Sequence, residues 1–329
     1  MLTAHLPVSR LRSTSFDRLD APAAGFGAVP RVDSDTMISR RTFMQQAGAC
    51  ASAALLAPSS KAQQRFKLGL QLFTMRAALR SDVDGTLKRV AAMGYEEFET
   101  YGFDPEGMRY YGLPAKDFAQ RLRDLNLTAP SGHYDLNRFM STSVDDLKRY
   151  VDRCVQGAQA LGQAYITWPL LDEDSRTIEK FKVAAERLNL AGEQVKKAGL
   201  QLAYHNHNFE FVEQNGQIGY DIILGETDPA LVKLQMDLYW IARGSKQPPH
   251  YWFKRAPGRF VMWHVKDVHR TSGDYTEVGN GTIDFTKIWP DASLAGLKHF
   301  FVEQGGNFTH DPFRSVADSA EYVKRVLLK

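Results

Sequence analysis

The stretch SVDDLKRYVDRCVQGAQALGQAYITW, residues 143–168, decides the fold. Its apolar residues Val144, Leu147, Val151, Val155, Ala158 and Leu161 recur at three- and four-residue spacing, which places them on one stripe of a helix. Ser143 stands where an N-cap belongs, with Asp146 three residues on, and Gly162 follows the last periodic residue as a stop. Residues 164–168 then switch to a short β-like run. Working outward, the same alternation continues in both directions. Runs at 67–73, 96–101, 128–133, 164–168, 200–205, 232–237, 260–265 and 298–303 read as strands, separated by amphipathic helical patterns such as 178–198. Strand and helix alternating eight times predict one α/β domain over residues 63–329, a (β/α)₈ barrel, whose usual size is about 250 residues. A doubly wound open sheet is the alternative. It is disfavoured because Leu70-Gln71-Leu72-Phe73-Thr74 after the first strand lacks the glycines that let a pyrophosphate approach.

A barrel of this kind builds its site at the C-terminal ends of its strands. The last inward positions there are Gln71, Glu99, His133, His205 with His207, Asp237, His264 with Lys266, and Glu303. Apolar residues would be expected at the ends of buried strands, and charged ones need partners or a metal. His205, Asp237, His264 and Glu303 come from strands five to eight, which are neighbours, so two imidazoles and two carboxylates converge. Mixed nitrogen and oxygen donors suit Mn²⁺, Zn²⁺, Co²⁺ or Fe²⁺ better than Ca²⁺. His205 and His207 share the inward parity, and either could be the ligand, with His205 nearer the barrel axis. Asp237 could equally cap the following helix. Asp267 could bind the His264 imidazole or make a surface pair.

Charge divides unevenly along the 329 residues, which are 43% hydrophobic and 24% charged with a net charge of +3. Residues 1–62 carry seven Lys/Arg against four acids, leaving 34 of each sign in the rest. The surplus is therefore confined to a segment where Ser39-Arg40-Arg41-Thr42-Phe43-Met44 precedes an Ala-rich run at 47–57 and the small residues around Ala62. That order resembles a twin-arginine export signal with cleavage near Ala62. It implies the twin-arginine machinery as a partner and a periplasmic or secreted mature chain; a packed N-terminal amphipathic helix is the lesser alternative. Met37 is a natural start for such a signal. The apolar run is too short for a membrane span of about 20 residues. Cys154 alone remains after residue 62, so no internal disulfide is expected.

Six segments together resemble one family: GLQLFTMR at 69–76, GYEEFE at 94–99, YHNHNFEF at 204–211, MDLYW at 236–240, HVKD at 264–267 and EVGNGTIDF at 277–285. They are similar to the sugar phosphate isomerase/epimerase superfamily, with its xylose isomerase-like TIM barrel, over essentially all of residues 66–329. The resemblance implies a divalent metal at His205, Asp237, His264 and Glu303, and a ketose or polyol whose oxygens chelate it. It also implies that Gln71, Glu99, His133, His207 and Lys266 hold or polarise the substrate, with Trp240 as an apolar wall. Epimerases of the superfamily pair glutamates on strands five and eight, whereas His205 occupies the strand-five position here. That departure brings the pattern closer to inosose-dehydratase-like and 3-keto-glycoside-cleaving members.

The expected chemistry is removal of a proton α to a carbonyl, with a metal-stabilised enediolate. Glu303 is the expected base, and His133 or His207 the second proton carrier, since imidazole titrates near neutrality. Reprotonation gives an isomer or epimer; expulsion of a β leaving group gives a lyase acting on an inosose-like or 3-keto-glycoside substrate. A non-catalytic sugar-binding module and a nuclease are the remaining alternatives. The four-residue ligand set counts against the first. Against the second, a neutral mature chain lacks the positive surplus that nucleic-acid backbones require, and its remaining histidines His250, His269, His299 and His310 fall away from strand ends. The sequence leaves the oligomeric state open.

Overall fold

The computed structural model describes residues 65–329. The twin-arginine motif at 39–44, the apolar run at 47–57 and the cleavage point near Ala62 lie outside the described residues.

Eight strands close into a parallel barrel: β1 (Gly69–Gln71), β2 (Glu97–Thr100), β3 (Thr128–His133), β4 (Tyr165–Trp168), β5 (Gln201–His205), β6 (Val232–Asp237), β7 (Met262–Val265) and β8 (His299–Val302). Each pairs with the next in sequence, and β8 closes on β1 through Gly69 beside Phe301. All eight expected strands are present and most are shorter than expected. The largest difference is at β1, where the run ends at Gln71 because its side-chain oxygen accepts from Phe73 N at 3.0 Å and turns Leu72–Met75 into a 3₁₀ helix. Gly69 is required in β1: a Cβ there would meet Phe300 O at 2.1 Å and the Phe301 ring at 2.8 Å.

The helices that set the pattern form as their caps dictate. Val144–Leu161 starts at Ser143, whose hydroxyl accepts from Asp146 N, and ends at Gly162 with φ 70°. Ile178–Lys197 is capped by Thr177. Their apolar stripes pack on the outward faces of the strands, where Phe98, Trp168, Tyr204 and Phe300 are fully buried. Each such aromatic contributes about 2–3 kcal/mol of transfer free energy. Inside, Tyr165, Ala203, Met262 and Phe301 share the inward parity of the site residues and fill the lower barrel. Above that layer the inward positions turn polar. Among the described residues, three two-stranded ribbons lie outside the barrel, one of them Asp267–Val268 with Tyr275–Thr276. Among the described residues, no helix is long and apolar enough to cross a membrane.

Candidate active site

Strand register brings the polar ends together. Gln71 pairs with Glu99, Gln235 with His205, and Asp237 with His264. Glu99 is the lowest member and is fully buried. Its Oε1 accepts from Ser131 Oγ and Gln235 Nε2, both at 2.7 Å. Its Oε2 accepts from Gln71 Nε2 at 2.7 Å, His264 Nε2 at 2.5 Å and His133 Nε2 at 3.1 Å. Burial alone would raise its pKa, but the two imidazoles outweigh burial and hold it well below the usual carboxylate range.

His264 links this floor to the cavity. Its Nδ1 lies 3.0 Å from Glu303 Oε2, so the ring stands between two carboxylates. Burial would lower its pKa, yet Glu99 and Glu303 push it up to about 10. Lys266 donates to Glu303 Oε2 at 3.0 Å and lies 3.6 Å from Asp237 Oδ2. Against the cost of burial, Glu303 and Asp237 raise the lysine pKa and keep it charged. Against the same cost, Lys266 and His264 keep the Glu303 carboxyl ionised.

Asp237 caps the next helix with one oxygen and leaves the other without a hydrogen-bond partner. Its Oδ1 accepts from Tyr239 N and Trp240 N, capping the helix Leu238–Gly244. Its Oδ2 is buried and has no hydrogen-bond partner. Around that oxygen stand Lys266 Nζ at 3.6 Å, His205 Nε2 at 3.7 Å and His264 Nδ1 at 3.8 Å. The lysine gap is that of an ion pair, whereas the two imidazole gaps are too long for hydrogen bonds but close to the roughly 3.0–3.5 Å that separates donors sharing one ion at about 2.1 Å each. His205 is oriented for this: its Nδ1 donates to Gln235 Oε1 at 3.0 Å, leaving Nε2 free of a proton. Burial first, and then the neighbouring imidazoles, push its pKa well down, so the ring is neutral. Asp237, His264 and Glu303 form one trio of mutually close donor atoms, and His133, His205 and His264 another. Three of the four residues expected as ligands, Asp237, His264 and Glu303, thus form one cluster, with His205 Nε2 facing the same unpartnered Asp237 oxygen, and nitrogen and oxygen donors of this kind suit a divalent cation of the transition series.

Other expected residues sit differently. His207 lies beyond the end of β5, its N–H held by the Glu210 carboxylate at 2.9 Å. Its ring packs on Trp240 and Phe209, its Nδ1 has no partner, and burial pushes its pKa down to about 3. Gln71 and Glu99, expected at the substrate, are fully enclosed beneath the cavity and spend their polar atoms on protein partners. Trp240, expected as a wall, stands behind His207 and under Lys266, whose Nζ is 5.4 Å from its ring. Asp267 makes neither an imidazole contact nor a surface pair: it is buried and accepts from the backbone N–H groups of Val268, Gly279, Gly281 and Ile283. The strand continues past Lys266 into a ribbon, which turns Asp267 toward that loop.

The cavity above these residues has a volume of about 300 Å³, the space of about ten liquid waters. His133, His205, His207, Lys266 and Glu303 line its floor. Gln235 was not expected from the sequence. Its amide couples His133, His205 and Glu99, and the inward parity it shares with Asp237 would have found it.

Comparison with known proteins agrees with the barrel fold. The profile of the xylose isomerase-like TIM barrel family matches residues 87–324. A sugar phosphate isomerase/epimerase from Parabacteroides distasonis ATCC 8503 superposes with a TM-score of 0.72 at 27% identity, covering 82% of this chain and 97% of that one. The inosose dehydratase of Lacticaseibacillus casei is 27% identical over 148 residues, 40% of this chain and 49% of that protein. The chain thus spans about half the length of that relative. The IolI protein with a binding zinc atom shares the fold alone, at 17% identity and a TM-score of 0.59, covering 80% of this chain and 98% of that one.

Proposed function

From the premise that this chain belongs to the xylose isomerase-like TIM barrel family, we propose that it is a metal-dependent enzyme acting on a keto sugar or related polyol by proton abstraction α to a carbonyl. The observation that carries the reading is the convergence of His205, His264 and Lys266 on the unpartnered Asp237 Oδ2, with ionised Glu303 facing the same cavity. His205, Asp237, His264 and Glu303 would hold the cation, which when bound polarises a carbonyl and stabilises the developing enediolate.

The chain's own groups account for the rest. Of the two carboxylates that line the cavity, Asp135 and Glu303, Glu303 is the one set among the candidate ligands and placed to take the α proton. Lys266, held charged beside it, supplies a fixed positive charge for the oxyanion that forms. His207 is neutral, and its ring lines the cavity beside the candidate ligands. His133 is tied by Nε2 to Glu99 and Gln235, which favours a positioning role over free proton transfer.

A second outcome, elimination, is favoured by one feature: strand five ends at His205 rather than at a glutamate, so it offers no carboxylate to return a proton. One base suffices for expelling a β leaving group, and the likeness to inosose dehydratases points the same way. Export by the twin-arginine route, proposed on the motif at 39–44, would present the enzyme with unphosphorylated sugars. Incubating metal-reconstituted protein with ketoses, inososes and 3-keto-glucosides tests the reading. An isomer, epimer, dehydrated sugar or released aglycone supports it. Absence of all of these, with metal bound, overturns it.

A further inference from the structure

Among the described residues only four large apolar side chains are substantially exposed: Phe73, Leu170, Val212 and Tyr251. Two of them, Phe73 at 39% and Leu170 at 38%, line the mouth of the same cavity. They are joined there by Tyr101, Phe103 and Pro169. Scattered exposed apolar groups are ordinary, but a cluster at the rim of a polar pocket marks a surface kept for something apolar.

These groups are also held in place. The Phe73 backbone is fixed by Gln71, its ring meets Tyr101 edge-on at 5.2 Å, and the Arg76 guanidinium lies 4.4 Å from its centroid. Arg76 is itself pinned by the carbonyls of Phe73 and Gly305. Across the mouth, the Trp168 indole donates to Leu170 O at 2.8 Å. A rim built this way loses little freedom when a ligand settles on it.

The charges argue in the same direction. Among the described residues that line the cavity, Lys266 is the one Lys or Arg, and it is ion-paired with Glu303 and Asp237. Asp135 adds a carboxylate to the lining. A phosphate inside the cavity would meet no lining lysine or arginine that is not already ion-paired.

We propose that the substrate of this site is an unphosphorylated sugar carrying a flat apolar substituent, such as an aromatic aglycone. Its polyol end reaches the polar floor, and its apolar end lies between Phe73 and Leu170. This rests on the enolate reading above for the floor but not for the rim.

The test is equilibrium binding of two unoxidised probes to the metal-loaded protein, 4-nitrophenyl β-D-glucoside and methyl β-D-glucoside. The nitrophenyl compound is expected to bind at least about tenfold more tightly. The double variant Phe73→Ala/Leu170→Ala is expected to abolish that preference, while Val212→Ala, exposed elsewhere, leaves it intact. Equal affinity for the two probes, no binding of the nitrophenyl compound, or a preference that survives the double variant would overturn the proposal. A preserved preference without turnover of any keto sugar would instead remove the enolate reading and leave this one standing.

Discussion

The Oε2 atom of Glu99 lies 2.5 Å from Nε2 of His264, with both side chains fully buried. That contact fixes the far ring nitrogen, Nδ1, toward Glu303 and Asp237. A carboxylate behind a ligating imidazole sets its tautomer and raises its basicity, commonly worth ten- to a hundredfold in metal affinity. Glu99→Gln is therefore expected to weaken binding of Zn²⁺ or Mn²⁺ by about that factor in a chelator-competition titration at pH 7. Unchanged affinity would mean that His264 takes no part in holding the ion.

Glu303 differs from the other carboxylates in its access. Glu99 is sealed below and Asp237 spends one oxygen on the helix cap, whereas Glu303 lines the cavity. Glu303→Gln, assayed at saturating metal, is expected to lower kcat/KM by about 10²–10⁴ while the fold, read by circular dichroism, is retained. A loss below tenfold would assign the base elsewhere.

Asp267 stabilises the loop after β7 by accepting four backbone N–H bonds, and Gly281 approaches so closely that a Cβ would meet Asp267 Oδ1 at 2.2 Å. Asp267→Ala leaves those donors unpaired. The cost is on the order of 3 kcal/mol, or roughly 5–10 °C in Tm, by calorimetry at pH 7. Gly281→Ala is expected to destabilise in the same sense.

Glu277 ties that loop to the start of the last helix, Pro312–Tyr322. It accepts from Thr309 N, Thr309 Oγ1 and Ser315 Oγ. Burial would raise its pKa, but these bonds bring it down to about 2. A depressed carboxylate pKa contributes stability that is present above the unfolded value near 4.5 and is lost as pH falls through the folded value. Glu277→Gln should therefore lower Tm at pH 7, and the gap to wild type should shrink as pH falls from about 4.5 to about 2. A gap that is constant with pH would contradict the assigned cause.

The barrel was legible because each strand and helix carries its own period and cap, as at Ser143 and Gly162. The candidate ligands were legible because a histidine or carboxylate ending a buried apolar strand is costly to desolvate unless it binds something. Residues that act through a neighbour were harder to read. Glu99 and Gln71 have the same inward parity as a substrate contact, and only the closed ring shows that Ser131, His133, Gln235 and His264 consume their polar atoms. Asp267 follows an alternation that stops at Lys266, where the chain leaves the barrel for a ribbon. The rim of Phe73, Pro169 and Leu170 lies in segments after strand ends, where no period exists to signal it. Residues 1–64, which hold the twin-arginine stretch proposed as an export signal, lie outside the described residues, so that proposal rests on the sequence.

The most direct measurement of the central claim is solvent exchange at the carbon α to the carbonyl, followed by proton NMR in D₂O. Metal-loaded protein and a 3-keto-glucoside should show deuterium entering that position, or a product whose formation requires loss of that proton. Glu303→Gln and metal-stripped protein should show neither. Turnover of the keto sugar with the α proton fully retained would contradict the account.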